Sequence, residues 1–229
     1  MTYLIGDLHG NVEALDHLLG ILQPTPSDRI IFLGDYLDKN PNTRETLERL
    51  EQLSQQTTCT FLLGNHEYVW DRYVNHGEVE RQEFILKYGG LETLQQLHPN
   101  PEQLIQENNL EELKQLLAPY FKLIAQCKSH VIVGDCLAIH AGLKPEQLQQ
   151  DPLRVEEVNF FLRPALMNLE ERYLGRYTVV GGHTHLSDEP VPHAGYINLD
   201  YGAGYGKYLA AFCLERHQII RSDGKTFSL

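Results

Sequence analysis

Five short polar clusters in this sequence contain the side chain types that bind divalent metal ions. They are Asp7-Leu8-His9, Asp35 with Asp38, Asn65-His66-Glu67, His140 and His183-Thr184-His185. Each cluster follows a short apolar run, and glycine, which lets a ligand approach the backbone closely, borders most of them. A single Gly-Asp pair at such a place is usually a turn or a helix cap. The repetition of the pattern after five successive apolar runs instead predicts one shared site.

The ligand types in these clusters indicate which metals would bind. Oxygen atoms of aspartate and asparagine mixed with histidine nitrogens suit manganese, iron or zinc, and the four cysteines form no Cys-x-x-Cys pair. The clusters hold more ligands than one ion needs, so we predict two divalent ions ~3.5–4 Å apart that share one carboxylate. Such a pair lowers the pKa of a bridging water and stabilises both oxygens of an in-line displacement at phosphorus.

The elements that must position these clusters alternate along the first part of the chain. Apolar runs predict strands at 3–5, 29–33 and 60–63, and leucines at helical spacing predict helices at 12–22 and 43–53. Strands that alternate with helices favour a parallel sheet, in which ligands bind beyond the carboxyl ends of the strands. The first three polar clusters are therefore expected at one edge of one sheet.

The remainder of the chain has a different pattern. Residues 68–128 are rich in Glu, Gln and Leu at helical spacing, which predicts a helical insertion with a turn at Gly89-Gly90. Further strands are predicted at 131–133, 136–139, 177–180, 196–199 and 209–214, and nearby turn signals suggest that they pair antiparallel. No internal repeat or linker rich in Gly or Ser interrupts the chain, so we predict a single domain over residues 1–229.

Charge limits the partners that this chain can bind. It carries 19 Lys and Arg against 31 Asp and Glu, a formal net charge of −12 over 229 residues. Such a surface repels nucleic-acid backbones and anionic lipid, so we expect neither general nucleic-acid binding nor membrane binding. A phosphate-bearing substrate can still bind where divalent cations reverse the local charge. We find no signal-peptide pattern and no apolar stretch of about 18 residues, which favours a cytoplasmic location.

Five motifs, in this order, resemble those of the calcineurin-like metallophosphoesterases. They are Gly6-Asp7-Leu8-His9-Gly10, Gly34-Asp35-Tyr36-Leu37-Asp38, Gly64-Asn65-His66-Glu67, His140-Ala141-Gly142 and Gly182-His183-Thr184. The third and fourth are most similar to the bacterial phosphoprotein phosphatase branch, which resembles serine/threonine phosphatases and includes relatives of symmetrical diadenosine tetraphosphatases. The resemblance covers nearly the whole chain. It implies an α/β fold, an αββα sandwich of two mixed sheets flanked by helices, with a dinuclear metal site at the strand ends.

The resemblance also implies a role for each motif residue. Asp7 and His9 would bind the first metal ion, Asp35 would bridge both ions, and Asn65, His140 and His183 would bind the second. His66 would be the general acid that protonates the leaving oxygen, and Asp38 would accept a hydrogen bond from it. The implied cofactor is a pair of divalent ions, with Mn²⁺ as the first choice and Fe or Zn as alternatives. Glu67 would be a structural acid behind the ligands.

Two positions, Lys39 and His185, depart from the pattern of the phosphatase branch, and a third, Arg163, matches it in part. Lys39 stands where that branch usually has arginine, and lysine keeps the charge but loses the bidentate geometry that matches a phosphate. We predict that Lys39 binds phosphate, with a solvated lysine as the alternative. Arg163 resembles a second phosphate-binding residue, with a surface ion pair as the alternative. His185 completes a Gly-His-x-His pattern typical of phosphodiesterase branches, so it is either a metal ligand or a polar residue near the site.

These observations predict a dinuclear metal-dependent phosphohydrolase. The first hypothesis is that a metal-bridging hydroxide attacks a phosphomonoester in line, in a phosphoserine or phosphothreonine protein or in a small phosphate ester. The alternative substrate is a dinucleoside polyphosphate or a phosphodiester. A metal-binding scaffold is the alternative from another class, although a scaffold has no need of an acid such as His66. A helical insertion that roofed the metal site would favour small substrates over folded phosphoproteins.

Overall fold

Ten strands and eight α-helices form the chain, and the computed structural model describes residues 1–229. The strands are β1 (Thr2–Ile5), β2 (Arg29–Phe32), β3 (Thr58–Phe61), β4 (His130–Val133), β5 (Cys136–Ile139), β6 (Thr178–Gly181), β7 (Tyr196–Asn198), β8 (Ala210–Cys213), β9 (Gln218–Arg221) and β10 (Thr226–Ser228). The helices are α1 (Val12–Leu22), α2 (Thr43–Gln56), α3 (Asn65–His76), α4 (Gln82–Lys87), α5 (Gly90–Gln95), α6 (Pro101–Gln106), α7 (Leu110–Leu116) and α8 (Ala118–Ile124). No helix has the combination of length and apolar character that crossing a membrane requires.

The first sheet contains six strands in the order β10-β9-β8-β1-β2-β3. The strands β1, β2 and β3 are parallel, as the alternation of strands and helices predicts. The strand β8 pairs antiparallel with β1 and connects the sheet to β9 and β10. Neither β9 nor β10 is predicted from the sequence, because β9 ends on a buried arginine, Arg221, and β10 has a single partly buried side chain, Phe227.

The second sheet contains four strands in the order β4-β5-β6-β7. The antiparallel prediction holds for β4 and β5 but is wrong for β5, β6 and β7, which are parallel to one another. The long connections at 140–177 and 182–195 explain the difference, because chain of this length can cross over the sheet instead of turning back in a hairpin. Their parallel direction places the ends of β5 and β6 at a common edge.

Three apolar clusters form the core and pack the layers of the fold against one another. The largest contains 33 buried residues and lies between the helices and the first sheet. A second cluster of 12 buried residues lies between the two sheets, and the alternation along β1 sends Leu4 to it while Ile5 faces the helices. A third cluster of 7 buried residues covers the outer face of the second sheet, where parts of the connection between β5 and β6 pack against it. The fold is therefore the expected sandwich of two mixed sheets with helices outside.

The helices α3 to α8 connect β3 to β4 and fall largely within the segment 68–128 that the sequence predicts as helical. Helix α3 packs against α4, α7 and α8. Gly89 separates α4 from α5 at φ 98°, a left-handed conformation that glycine adopts without a steric penalty. The limits of an insertion and the division into one domain stay predictions.

Candidate metal centre and active site

The five polar clusters meet at one place, on the loops that follow β1, β2, β3, β5 and β6. Asp35 lies between two groups of side chains whose ligand atoms are within 4.8 Å of one another. The first group is Asp35 with His9 and His66, and the second is Asp35 with His140 and His183. His9 Nε2 is 3.4 Å from Asp35 Oδ2, and His140 Nε2 is 3.5 Å from Asp35 Oδ1. One carboxylate thus offers a separate oxygen to each group.

Asn65 belongs to the second group through its amide oxygen. Asn65 Oδ1 is 2.9 Å from His140 Nε2 and 2.8 Å from His183 Nδ1. Asn65 is the first residue of α3, so the start of this helix delivers the oxygen to the site. The structure therefore brings together Asp35, Asn65, His140 and His183, which the sequence analysis assigns to one metal ion.

Backbone carbonyl groups fix the orientation of two of these histidines. His9 Nδ1 is 2.9 Å from the carbonyl oxygen of Leu37, and His140 Nδ1 is 2.9 Å from that of Leu33. A neutral ring that donates Nδ1–H to a carbonyl keeps a free lone pair on Nε2. Burial lowers the pKa of both histidines well below the usual value, which favours this neutral form. Both Nε2 atoms can therefore bind a metal, and at His9 the ion would take the place of Lys39 Nζ, which lies 2.8 Å from Nε2.

The arrangement of donors fits divalent cations. When His140 donates Nδ1–H to the Leu33 carbonyl, its Nε2 lone pair faces Asn65 Oδ1, which is also an acceptor, so the two atoms repel unless one cation binds both. Burial raises the pKa of Asp35 well above its usual range, and the charge of Asp7 raises it further. A pair of buried carboxylates without compensating charge is costly. Positive charge placed between these groups would remove both conflicts.

Asp7 lies beside these groups, although it belongs to neither. The backbone N–H of His183 donates to its carboxylate, at 2.9 Å from Oδ2 and 3.1 Å from Oδ1. Burial raises the pKa of Asp7, and Asp200 is the next largest cause. Asp200 lies in the loop after β7, and the sequence predicts no role for it. The loop after β1 is thus tied directly to the loop after β6.

The backbone at the site adopts an uncommon conformation. The structure has nine residues other than glycine with positive φ, and five of them are candidate site residues: His9, Asp35, Asp38, Lys39 and His183. Each such conformation costs ~1–3 kcal/mol for residues other than glycine, and they concentrate where function requires them. The hydrogen bond from the backbone N–H of His9 to the carbonyl of Asp35, 2.8 Å long, helps to hold the loops in this state.

A pair of side chains beside Asp35 has the geometry of a positioned acid. His66 Nδ1 is 2.6 Å from Asp38 Oδ2, and His66 Nε2 is 3.9 Å from Asp35 Oδ2. Trp70 Nε1 donates to both oxygens of Asp38, and the Thr93 hydroxyl donates to Oδ1. Asp38 is thereby held so that Nε2 of His66 points towards the metal groups.

The sequence analysis missed Trp70 and Thr93 as partners of Asp38. Trp70 follows His66 by four positions on α3, and side chains at this spacing share one face of a helix. That spacing is the signal that could have identified it. Thr93 lies on α5, and no local pattern indicates its contact with Asp38, because that contact joins residues that are far apart in the sequence.

Glu67 supports the site from behind, as predicted. Its carboxylate is fully buried and accepts backbone hydrogen bonds from Asp35 at 2.7 Å, Tyr36 at 3.0 Å and Gly64 at 3.1 Å. The hydroxyl of Tyr120, on α8, donates to the same carboxylate. One side chain therefore joins the loops after β2 and β3 to the last of the helices.

The structure places the remaining candidates at the edge of the site. The Lys39 Nζ atom is 2.8 Å from His9 Nε2. Arg163 is exposed. Burial is the main reason that the pKa of His183 is lowered to about 4, and the positive charge of Arg163 lowers it further. His185 lies outside both groups, because its Nδ1 is 3.2 Å from the Asp200 carbonyl oxygen and its Nε2 is 3.2 Å from Asp188 Oδ1. These contacts suit a polar residue near the site, and the role of His185 stays a prediction.

We expect the replacement Lys39→Ala to raise the KM for a phosphate ester about tenfold, the range for a hydrogen bond to a charged group, and to leave kcat nearly unchanged. A cation that meets phosphate equally in the ground and transition states supplies uniform binding. Lys39→Arg restores the charge and is expected to restore KM. Steady-state kinetics with metal analysis is the test, and unchanged KM in Lys39→Ala would show that this lysine is only solvated.

Comparisons with known proteins identify the family of this chain. A profile of the calcineurin-like phosphoesterase family matches residues 2–187. The asymmetrical bis(5′-nucleosyl)-tetraphosphatase PrpE of Halalkalibacterium halodurans is 26% identical over 229 aligned residues, which cover 91% of this chain and 87% of that protein. The symmetrical bis(5′-nucleosyl)-tetraphosphatase of Coxiella burnetii is 32% identical over 164 residues, 71% of this chain. This chain spans about half of the Coxiella protein, because the alignment covers 49% of it.

A solved structure supports the fold alone. A cold-active protein-tyrosine phosphatase from a psychrophilic Shewanella species superposes with a TM-score of 0.58 at 18% identity, covering 100% of this chain and 80% of that chain. The family match, which extends over most of the chain, shows more. The chain belongs to the calcineurin-like phosphoesterase family. It is a metallophosphoesterase, an enzyme that hydrolyses phosphoric esters.

Proposed function

We propose that this enzyme hydrolyses dinucleoside polyphosphates with two divalent ions, Mn²⁺ as the first choice. The observation that carries the proposal is the shared carboxylate of Asp35, which offers one oxygen to each of two groups of metal-binding atoms next to the His66–Asp38 pair. The similarity to the Halalkalibacterium tetraphosphatase, over 87% of its length, supports the choice of substrate among phosphoric esters.

The candidate ligands divide between two ions as the family resemblance implies. Asp7, His9 and Asp35 would hold the first ion, and Asp35, Asn65, His140 and His183 would hold the second. When bound, two such ions activate a water molecule near neutral pH and neutralise the oxygens of the phosphate. The lone pairs on Nε2 of His9 and His140, fixed by the carbonyls of Leu37 and Leu33, support this assignment.

In this proposal His66 supplies a proton to the leaving oxygen from Nε2. Asp38 accepts the Nδ1–H of the same ring, which keeps the ring oriented with Nε2 towards the metal groups. Trp70 and Thr93 satisfy the remaining capacity of the Asp38 carboxylate, so that it does not turn away from His66. The chain thus contributes a proton donor whose direction is set by residues on α3 and α5.

Positive charge from the chain would complete the phosphate site. Lys39 lies next to His9, and the charge of Arg163 acts on His183, so each cation is associated with one of the candidate metal ligands. The rest of the chain is acidic, with a net charge of −12. We therefore propose that phosphate groups bind only here, and that nucleic acids and membranes are not partners. The cytoplasmic location stays a prediction.

A phosphomonoester is the second candidate substrate, and the His66–Asp38 pair favours it. The oxygen of serine is a poor leaving group without a proton, whereas a nucleotide leaves on a phosphate oxygen that needs less help. A strongly positioned acid is therefore more valuable for a phosphoserine substrate. The hypothesis from the sequence, a serine/threonine phosphatase-like activity, stays open on this ground.

The test is a comparison of kcat/KM for three substrates by the Mn²⁺-loaded chain. We expect diadenosine tetraphosphate to be cleaved more efficiently than a phosphoserine peptide or a bis-aryl phosphodiester, because the relatives named above are tetraphosphatases. Chromatography of the nucleotide products also distinguishes asymmetrical cleavage, to ATP and AMP, from symmetrical cleavage, to two ADP. Protein treated with a chelator is the control. A higher kcat/KM for the phosphoserine peptide would replace the first candidate by the second.

A further inference from the structure

An exposed aromatic ring at the rim of the site is used by none of the steps above. Tyr205 is 67% exposed, the highest fraction among the exposed large hydrophobic residues of the chain. Lys39 Nζ lies 4.6 Å from the centre of the Tyr205 ring, and the same Nζ atom is 2.8 Å from His9 Nε2. A single lysine therefore separates this ring from a candidate metal ligand.

The turn that carries Tyr205 is held firmly against the site. It is a short 3₁₀ turn, Ala203–Tyr205, between Gly202 and Gly206, which both have positive φ. Ala203 is fully buried, and its carbonyl accepts a hydrogen bond of 2.9 Å from Asn11 Nδ2 at the start of α1.

The middle residue of this turn packs on the candidate ligand itself. A Cβ atom on Gly204 would lie 2.7 Å from His9 Cδ2 and 2.9 Å from Lys39 Cδ, so this position has no room for a side chain. The ring that follows is thus presented at a fixed place beside the phosphate-binding lysine. An aromatic ring left in solvent at such a place forgoes the burial that most aromatic side chains obtain.

From this geometry we infer that Tyr205 is a stacking platform for the base of a nucleotide whose phosphate is bound at Lys39 and the metal groups. The inference rests on the proposed function, since it specifies which part of a nucleotide substrate the rim recognises. Every nucleobase has a flat face that can stack on an aromatic side chain, whatever the pattern of hydrogen-bond donors and acceptors on the edges of the base. The ribose would lie beside the Lys39 side chain, which spans the distance from the Tyr205 ring to His9. The platform therefore selects nucleotides over phosphates that have no base.

The experiment compares two ligands that share a sugar phosphate and differ in the base. Binding of AMP and of ribose 5-phosphate is measured by titration calorimetry with the Mn²⁺-loaded full chain carrying His66→Asn, which slows cleavage of the ligands. We expect Tyr205→Ala to weaken AMP binding about tenfold, within the range for the loss of one base–aromatic stack, and to leave ribose 5-phosphate binding unchanged. Tyr205→Phe keeps the ring and is expected to bind AMP as tightly as tyrosine does.

Tyr177→Ala is the control for the loss of a tyrosine ring that lies under a cation, because Arg176 lies over the Tyr177 ring at 4.4 Å, as Lys39 does over Tyr205, and this ring packs on the third apolar cluster. Tyr177 precedes β6, at the end opposite the site, so its loss should change neither ligand. Equal weakening of both ligands in Tyr205→Ala, or weakening of neither, would overturn the inference. The base-dependent difference without cleavage of diadenosine tetraphosphate by the wild type would overturn the proposed substrate and leave the platform standing. Cleavage of diadenosine tetraphosphate without a base-dependent difference in binding would support the proposed substrate and overturn the stacking platform.

Discussion

Replacing Asp35 with asparagine is expected to abolish turnover and to weaken the binding of both metal ions. Each oxygen of this carboxylate faces a different histidine, His9 on one side and His140 on the other. Asparagine keeps the shape but removes the charge and one of the two oxygens. The loss should exceed the ~10–100-fold that removal of a residue behind the ligands usually costs in metal affinity or activity. Activity and elemental analysis of the purified variant measure both effects.

Asp16→Asn is the control for this experiment, since Asp16 is an exposed aspartate of α1 that pairs only with Arg49. It should leave activity and metal content at the wild-type level. Two tightly bound ions per chain with normal activity in Asp35→Asn would contradict the shared-carboxylate arrangement. Loss of one ion with retention of the other would show that Asp35 belongs to a single group.

The second large effect is expected for His66→Asn. A general acid contributes ~10²–10⁴-fold where the leaving oxygen needs a proton, so we expect a loss of that size on a phosphoserine substrate. An activated aryl phosphate leaves almost unaided, so its loss should be markedly smaller. Metal content should stay at the wild-type level. The measurement is kcat for both esters together with elemental analysis.

The position of His66 also allows an alternative role, that of a metal ligand. His66 Nε2 lies in the same group as His9 and Asp35, so the atom is close enough to bind an ion itself. A metal-binding His66 would lose metal and both activities together. His76→Asn, at the exposed end of the same helix, is the control for effects on α3 and should change nothing. Equal losses on both esters with metal retained would mean that His66 only positions phosphate.

Local patterns were sufficient to predict the part of the fold that gathers the candidate ligands. The runs that become β1 and β2 end in Gly-Asp, and parallel strands bring such ends to one edge. The later strands were harder, because the direction of β6 depends on a long connection whose path is set by tertiary packing. The strand β9 was missed for a similar reason. It ends on Arg221, whose buried guanidinium contacts the rings of Tyr208 and Phe227, and no local apolar pattern predicts that an arginine is buried.

The inner geometry of the site was beyond sequence reasoning for a different physical reason. The positive φ angles of Asp35 and Asp38 are imposed by contacts between loops, such as the hydrogen bond from the N–H of Asp35 to Glu67. The hydrogen bond from the Thr93 hydroxyl to Asp38 joins residues from separate elements. Motifs give the types of side chain that meet, but the angles at which they meet depend on the whole assembly.

The helices between β3 and β4 cannot be removed, or replaced by those of another enzyme, without a change at the site. Trp70, Thr93 and Tyr120 reach from α3, α5 and α8 to the carboxylates of Asp38 and Glu67. A truncated chain, or a chimaera with a helical segment transplanted from another enzyme, would withdraw these partners and leave both acids buried without them. Efforts to re-engineer specificity should therefore keep these three side chains in place and vary the rim instead, where an exposed ring such as Tyr205 can change without disturbing the fold.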